Sequence, residues 1–160
     1  MPQPELSAPV KILAVLAHPD DEAFGMGGTL AHYAKQGAEV SLICATLGEA
    51  GLVDPRLLQD GQTVASLREQ ELRCSAEALG LKEVILLGYR DSGMQGSPDN
   101  NHPQALAAQK LEEVTDKIAG HMRVLQPDIV LTFDPFGGYG HPDHIRIHEA
   151  ATRAFHLLRG

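Results

Sequence analysis

With 160 residues, 43% of them hydrophobic, the chain is long enough for one domain with an ordinary core; without Trp and with 4% aromatic residues, that core is mostly aliphatic. A formal charge of −8 and a pI near 5.4, with no dense Lys/Arg cluster, exclude a general binder of nucleic-acid phosphates. No apolar run approaches a membrane span, the N-terminus lacks the basic and apolar regions of a secretory signal, and Cys44 and Cys74 form no CxxC motif, so the expectation is a cytoplasmic protein with reduced, core-placed thiols.

Residues 1–9 read as a loose N-terminal tail. "VKILAVLA" (10–17) then reads as a strand buried on both faces. Residues 22–36 fit a helix stopped by Gly37, and residues 39–46 a second strand. A loop with several glycines covers 47–63, and a helix over 64–80 ends at Gly80. Residues 83–88 form a short strand and 89–102 a polar loop. Leu111, Val114, Ile118, Met122 and Leu125 recur every three or four residues, which predicts an amphipathic helix over 103–125. Residues 128–133 make a fourth strand, "DPFGGYGHPDH" a glycine-rich loop, and 142–158 a last helix.

This alternation predicts a single α/β domain with a mainly parallel sheet, doubly wound and Rossmann-like, with helices on both faces in three layers (α/β/α). Such folds bind ligands beyond the carboxyl ends of the strands, where strand order reverses. In a 3-2-1-4 order, the first and fourth strands flank that point. "HPDDE" (18–22) leaves the first and "GHPDH" (140–144) follows the fourth.

Together these motifs offer His18, Asp20, Asp21, Glu22, His141, Asp143 and His144. Zinc and related divalent ions take histidine nitrogens and carboxylate oxygens, commonly three protein ligands in a catalytic site. His18 and Asp21 are close enough in the chain to share an ion, and His144 joins from the first turn of a helix. Metal coordination lowers the pKa of a bound water towards about 7, so a spare carboxylate such as Asp20 suits a general base. His141 suits an electrostatic stabiliser or general acid, with Asp143 holding its other ring nitrogen. The competing reading is helix capping, because Asp and Glu are ordinary in a first helical turn and His-Pro suits a turn. Two His-Pro-Asp segments at neighbouring strand exits favour the metal.

"AHPDDE" with a later "GHPDH" resembles the LmbE-like family, also called the PIG-L or N-acetylglucosaminyl deacetylase family. "TLGEAG" (46–51), "LREQEL" (67–72) and "YRDSG" (89–93) support it in family order. The resemblance implies a zinc-dependent hydrolase (another divalent ion is possible) that removes the N-acetyl group from a small-molecule amino-sugar conjugate. By motif, His18, Asp21 and His144 would hold the metal and Asp20 would be the base. His141 would stabilise the tetrahedral intermediate, oriented by Asp143. Tyr139 and Arg68 match positions used near substrate in some members, and Glu49 and Asp91 are further candidates for the substrate or metal surroundings. Two other readings stay open: a metal-binding module without catalysis, and a deacylase of another amide or ester.

His148 is four residues after His144 and reads as support or packing before ligand. "GMGG" (25–28) lies inside the first helix, which excludes a dinucleotide loop. Family members usually continue past the helix after "HPDH". Their C-terminal elements are absent here, so an edge strand and part of the substrate wall are expected to be missing, which leaves homo-oligomerisation possible.

Overall fold

Residues 8–159 are described by the structure, a computed structural model; the first seven residues of the expected tail lie outside the described residues. Strand β1 (Lys11–Leu16) alternates its side chains between two cores. Ile12, Ala14 and Leu16 join Leu30, Val40, Leu42, Cys44 and Leu72 on one face. Leu13, Val15 and Ala17 join Ile43, Val114, Ile118, Ile147 and Ala151 on the other. A strand apolar at every position after Lys11 therefore becomes the centre of three layers rather than an edge.

Helix α1 (Asp21–Lys35) follows β1, with a kink at Met26. It leads to β2 (Glu39–Cys44), helix α2 (Val64–Leu79) and β3 (Glu83–Leu86). Thr63 and Ser66 cap the start of α2 reciprocally, and Gly80 ends it in a left-handed conformation. Helix α3 (Leu111–Leu125) and β4 (Ile129–Leu131) come next, then a short turn of helix α4 (Gly137–Gly140) and α5 (Pro142–Arg159). The sheet is parallel, in the expected order β3-β2-β1-β4. Helices α1 and α2 pack on one face, α3 and α5 on the other.

Two expectations are corrected. The helix foreseen over 103–125 begins only at Leu111. Upstream, Arg90 N–H donates to the Gln104 carbonyl and Leu106 N–H to the Arg90 carbonyl, both at 2.9 Å; this pairing holds the backbone extended at Ala105, and a single tight turn (Leu106–Ala108) follows. Cys44 is buried as foreseen, but Cys74 lies on the exposed side of α2, whose buried residues are Leu72 and Ala76. Among the described residues, no helix is long and apolar enough to cross a membrane.

β4 matters most for the site. It pairs with Ile12 to Ala14 and stops, while β1 runs on to Leu16. The notch left beside the end of β1 is where both His-Pro-Asp segments converge.

Candidate metal centre

His18 leaves β1 with its ring buried. Its backbone N–H donates to Asp21 Oδ2 at 2.8 Å, which folds the chain into a turn and brings the Asp21 carboxylate over the imidazole. On the other side, Pro142 opens α5, where its missing N–H costs nothing, so Asp143 and His144 fall in the first turn. Gly137, at φ 72°, lets the preceding loop approach that turn; a Cβ there would lie 2.9–3.0 Å from Ile145 and His144.

Four potential ligand atoms from three residues meet in the notch. His18 Nδ1 is 3.2 Å from His144 Nε2 and 3.5 Å from Asp21 Oδ2, and His144 Nε2 is 3.3 Å from Asp21 Oδ1. A tetrahedral ion with bonds of about 2.0–2.2 Å spaces its ligands about 3.3–3.6 Å apart. The far nitrogens are both committed. His18 Nε2 donates to Asp143 Oδ2 at 3.1 Å, and His144 Nδ1 donates to the Gly137 carbonyl at 3.2 Å. With a neutral His18 the two facing nitrogens present lone pairs to each other, an arrangement that a cation between them, a metal ion or a proton, relieves. A proton on His18 Nδ1 is one such cation. Burial opposes its charged form, but hydrogen bonds to Asp143, Asp21 and Asp91 outweigh burial and raise its pKa well above the ordinary value. Asp21 resists the upward pull of burial and is held far below the usual carboxylate range by His144 and His18. The donor set and its spacing fit a divalent ion.

Two other groupings overlap this one: His18, His141 and His144, and His18, Asp91, His141 and Asp143, with ligand atoms within 4.8 Å. The second shares the Nε2 side of His18 and is already occupied by hydrogen bonds. Both Asp143 oxygens are taken, one by Ser92 N–H at 2.9 Å and by His18, the other by the Ser92 hydroxyl. Asp91 Oδ1 accepts from Gly93 N–H at 2.8 Å. The spacing and the free lone pairs favour His18, Asp21 and His144.

Around these three, Phe133 stacks on the His144 ring at 3.8 Å and 7°, and His148 Nδ1 donates to the Phe133 carbonyl at 2.6 Å. His148 thus supports the site through Phe133. The Asp143 carboxylate does not meet His141, contrary to the expected pair; it anchors His18. The Asp143 backbone N–H donates instead to His141 Nδ1 at 3.2 Å. That leaves the His141 proton on Nε2. Burial, aided by the positive charge of His18, pushes the His141 pKa down to about 4.

A cavity of about 600 Å³ opens beside the cluster, lined by His18, Asp20, Arg68, Asp91, Tyr139 and His141 at one end and by Leu52, Val53, Leu57 and Met94 at the other. Asp20 sits on its rim, with 52% of its side chain exposed. Partial burial raises its pKa, against the lowering effect of Arg68. Arg68 Nη2 donates to Asp20 Oδ2 at 2.8 Å and to the Pro19 carbonyl, and Nη1 donates to the Gly48 carbonyl at 3.1 Å. Gly48 makes room: a Cβ there would fall 1.8 Å from Arg68 Nη1. Tyr139 lies exposed at the lip, its ring 5.2 Å from that of His144. Glu49 accepts from Asp91 N–H at 2.9 Å, while its neighbours Ala50 and Gly51 line the cavity.

Sequence reasoning missed Ser92 and Phe133, and it took Glu22 for an ordinary acid of a first helical turn, not the buried one the structure shows. Ser92 is one hydroxyl in a polar loop, and Phe133 is the end of a predicted strand, unmarked by any pattern. "YRDSG" was the available signal for Ser92.

Residues 13–155 match the family model for GlcNAc-PI de-N-acetylase, PIG-L. A 1D-myo-inositol 2-acetamido-2-deoxy-alpha-D-glucopyranoside deacetylase from Actinosynnema mirum is 42% identical over 158 residues, covering 93% of this chain and 56% of that protein. Its counterpart from Kineococcus radiotolerans is 45% identical over 170 residues, covering 97% of this chain and 47% of that protein. Among solved structures, N,N'-diacetylchitobiose deacetylase from Pyrococcus horikoshii superposes with a TM-score of 0.71 at 31% identity, covering 92% of this chain and 49% of that one. The chain thus spans about half the length of the curated relatives it matches.

Proposed function

The chain belongs to the GlcNAc-PI de-N-acetylase (PIG-L) family, and from that premise we propose that it is a metal-dependent hydrolase removing the N-acetyl group from an N-acetylglucosaminyl conjugate. The observation that carries this reading is the convergence of His18 Nδ1, His144 Nε2 and Asp21 at 3.2–3.5 Å beside a cavity with Asp20 on its rim. His18, Asp21 and His144 would hold the ion, which we take to be zinc because two histidines and one carboxylate suit it. When bound, such an ion supplies Lewis acidity and a more acidic water.

The chain's own residues divide the remaining work. Asp20 faces the cavity and is the group that takes a proton from the attacking water. As the new C–O bond forms and the C–N bond breaks, the same carboxyl returns that proton to the departing amine, giving acetate and the free amino sugar. His141, neutral and carrying its proton on Nε2, donates a hydrogen bond to the carbonyl oxygen as negative charge develops there. This is a donor's role and needs no imidazolium, which suits a pKa near 4. Asp143 and Ser92 hold His18 in the orientation and tautomer that free Nδ1. Tyr139 closes the lip beside the reacting carbonyl. The expected substrate-binding role of Glu49 is better given to positioning Asp91.

The test is acetate release from a panel of N-acetylglucosamine conjugates, with metal content measured on the same samples and Asp20→Asn alongside. Turnover that needs both zinc and Asp20 supports the reading. Protein that takes up no metal, or turnover indifferent to Asp20, would sink it.

A further inference from the structure

We propose that Glu22 is a positioning residue, holding the Asp20 amide and thereby keeping Asp20 in a left-handed backbone conformation that aims its carboxylate at the cavity. The turnover part of this inference rests on the deacetylase reading; the stability part does not.

Asp20 has φ 101° and ψ −30°. Among the described residues, it and Gln126 are the non-glycine residues with positive φ. Side chains disfavour this region because Cβ crowds the backbone, and such a conformation persists only where neighbours impose it. Here its use is geometric. Asp20 and Asp21 are adjacent, yet Asp21 turns inward to His18 and His144 while Asp20 turns outward to Arg68 and the cavity. A reversed φ at Asp20 separates them.

Two contacts hold the reversal. Arg68 grips the side-chain face, through Asp20 Oδ2 and the Pro19 carbonyl. Glu22 grips the backbone: its Oε2 accepts from Asp20 N–H at 3.0 Å. Glu22 is only 1% exposed, against 52% for the Asp20 side chain. An acid serving only the helix dipole would sit in water, where it keeps its hydration. Its depth also registers at Cys44, whose thiol is pushed up by burial first and then by Asp21 and Glu22.

The experiment is a stability cycle on the full chain. Glu22→Ala is compared in the natural background and in an Asp20→Gly background, where glycine adopts φ 101° without strain. We expect Glu22→Ala to lower Tm by roughly 3–8 °C in the natural background and by less than half of that in the Asp20→Gly background. Glu22→Gln keeps an acceptor of the same length and restores most of the loss in both Tm and turnover. In the zinc-loaded enzyme, Glu22→Ala lowers kcat about 10–100-fold with KM and zinc content unchanged. Equal Tm losses in the two backgrounds, or full kcat in metal-replete Glu22→Ala, overturn the proposal. If Glu22→Ala does not fold, Glu22→Asp, which keeps the charge but shortens the reach, enters the same cycle with the same outcomes. A chain with no turnover on any conjugate counts against the deacetylase reading alone, because the Tm cycle uses no substrate.

Discussion

The two His-Pro-Asp segments are identical in sequence and opposite in use. In the first, the histidine is the ligand candidate and faces inward, while Asp20 reaches the cavity rim with 52% of its side chain exposed. In the second, Asp143 is fully buried against His18 and Ser92, and His141 faces the cavity. Backbone makes the difference. Pro142 opens a helix at once, so Asp143 takes a regular helical position and points back along α5 into the protein. After Pro19 the helix waits until Asp21, and the intervening Asp20 adopts a left-handed conformation. The same three residues therefore supply a proposed ligand and a proposed base in one place, an anchor and a proposed donor in the other.

Exchanging carboxylates for amides tests that contrast most sharply. Asp20→Asn should cut turnover about 10²–10⁴-fold while zinc content stays at the natural level, read by acetate release beside metal analysis. Asp143→Asn should act on metal instead, weakening zinc affinity about 10–100-fold in a competition titration, because the amide holds His18 Nε2–H less well. If both variants lose only turnover, or both lose metal, the two segments do not divide the work as described. Gly48→Ala strikes only the first segment. A side chain at φ 67°, placed 1.8 Å from Arg68 Nη1, should cost roughly 1–3 kcal/mol in thermal or urea unfolding and should lower turnover by releasing Asp20. His148→Ala strikes only the second. Loss of its hydrogen bond to the Phe133 carbonyl should cost about 1 kcal/mol, or some 2–4 °C in Tm, with little change in kcat.

Much of this was legible in the sequence. The alternation of apolar runs implied the strand order, and with it the neighbourhood of the two motifs, because crossover handedness leaves few arrangements. His18, Asp21 and His144 come together as expected, and Asp20 and His141 face one cavity. What could not be read depends on dihedral angles or single contacts. No pattern announces a positive φ at an aspartate, so Glu22, which supports it, read as an ordinary first-turn acid. Asp143 meets His18 rather than His141 because α5 points its carboxylate across the notch, a matter of helix orientation. Arg68 read as a substrate contact and does line the cavity, but its bonds to Asp20, Pro19 and Gly48 were not legible, being set by the close approach that Gly48 permits.

The notch beside β4 has a kinetic meaning as well. His18 and His144 are separated by 126 positions along the chain, and His18 and Asp143 by 125. Contacts of such range form late, after the loop between them has been closed against its entropy. During synthesis, His18 and Asp21 emerge early but wait for α5 to bring His144, the proposed third ligand. Zinc uptake should therefore track completion of the fold: strong binding should appear together with native tertiary structure during refolding, making the ion a reporter of the last helix to dock.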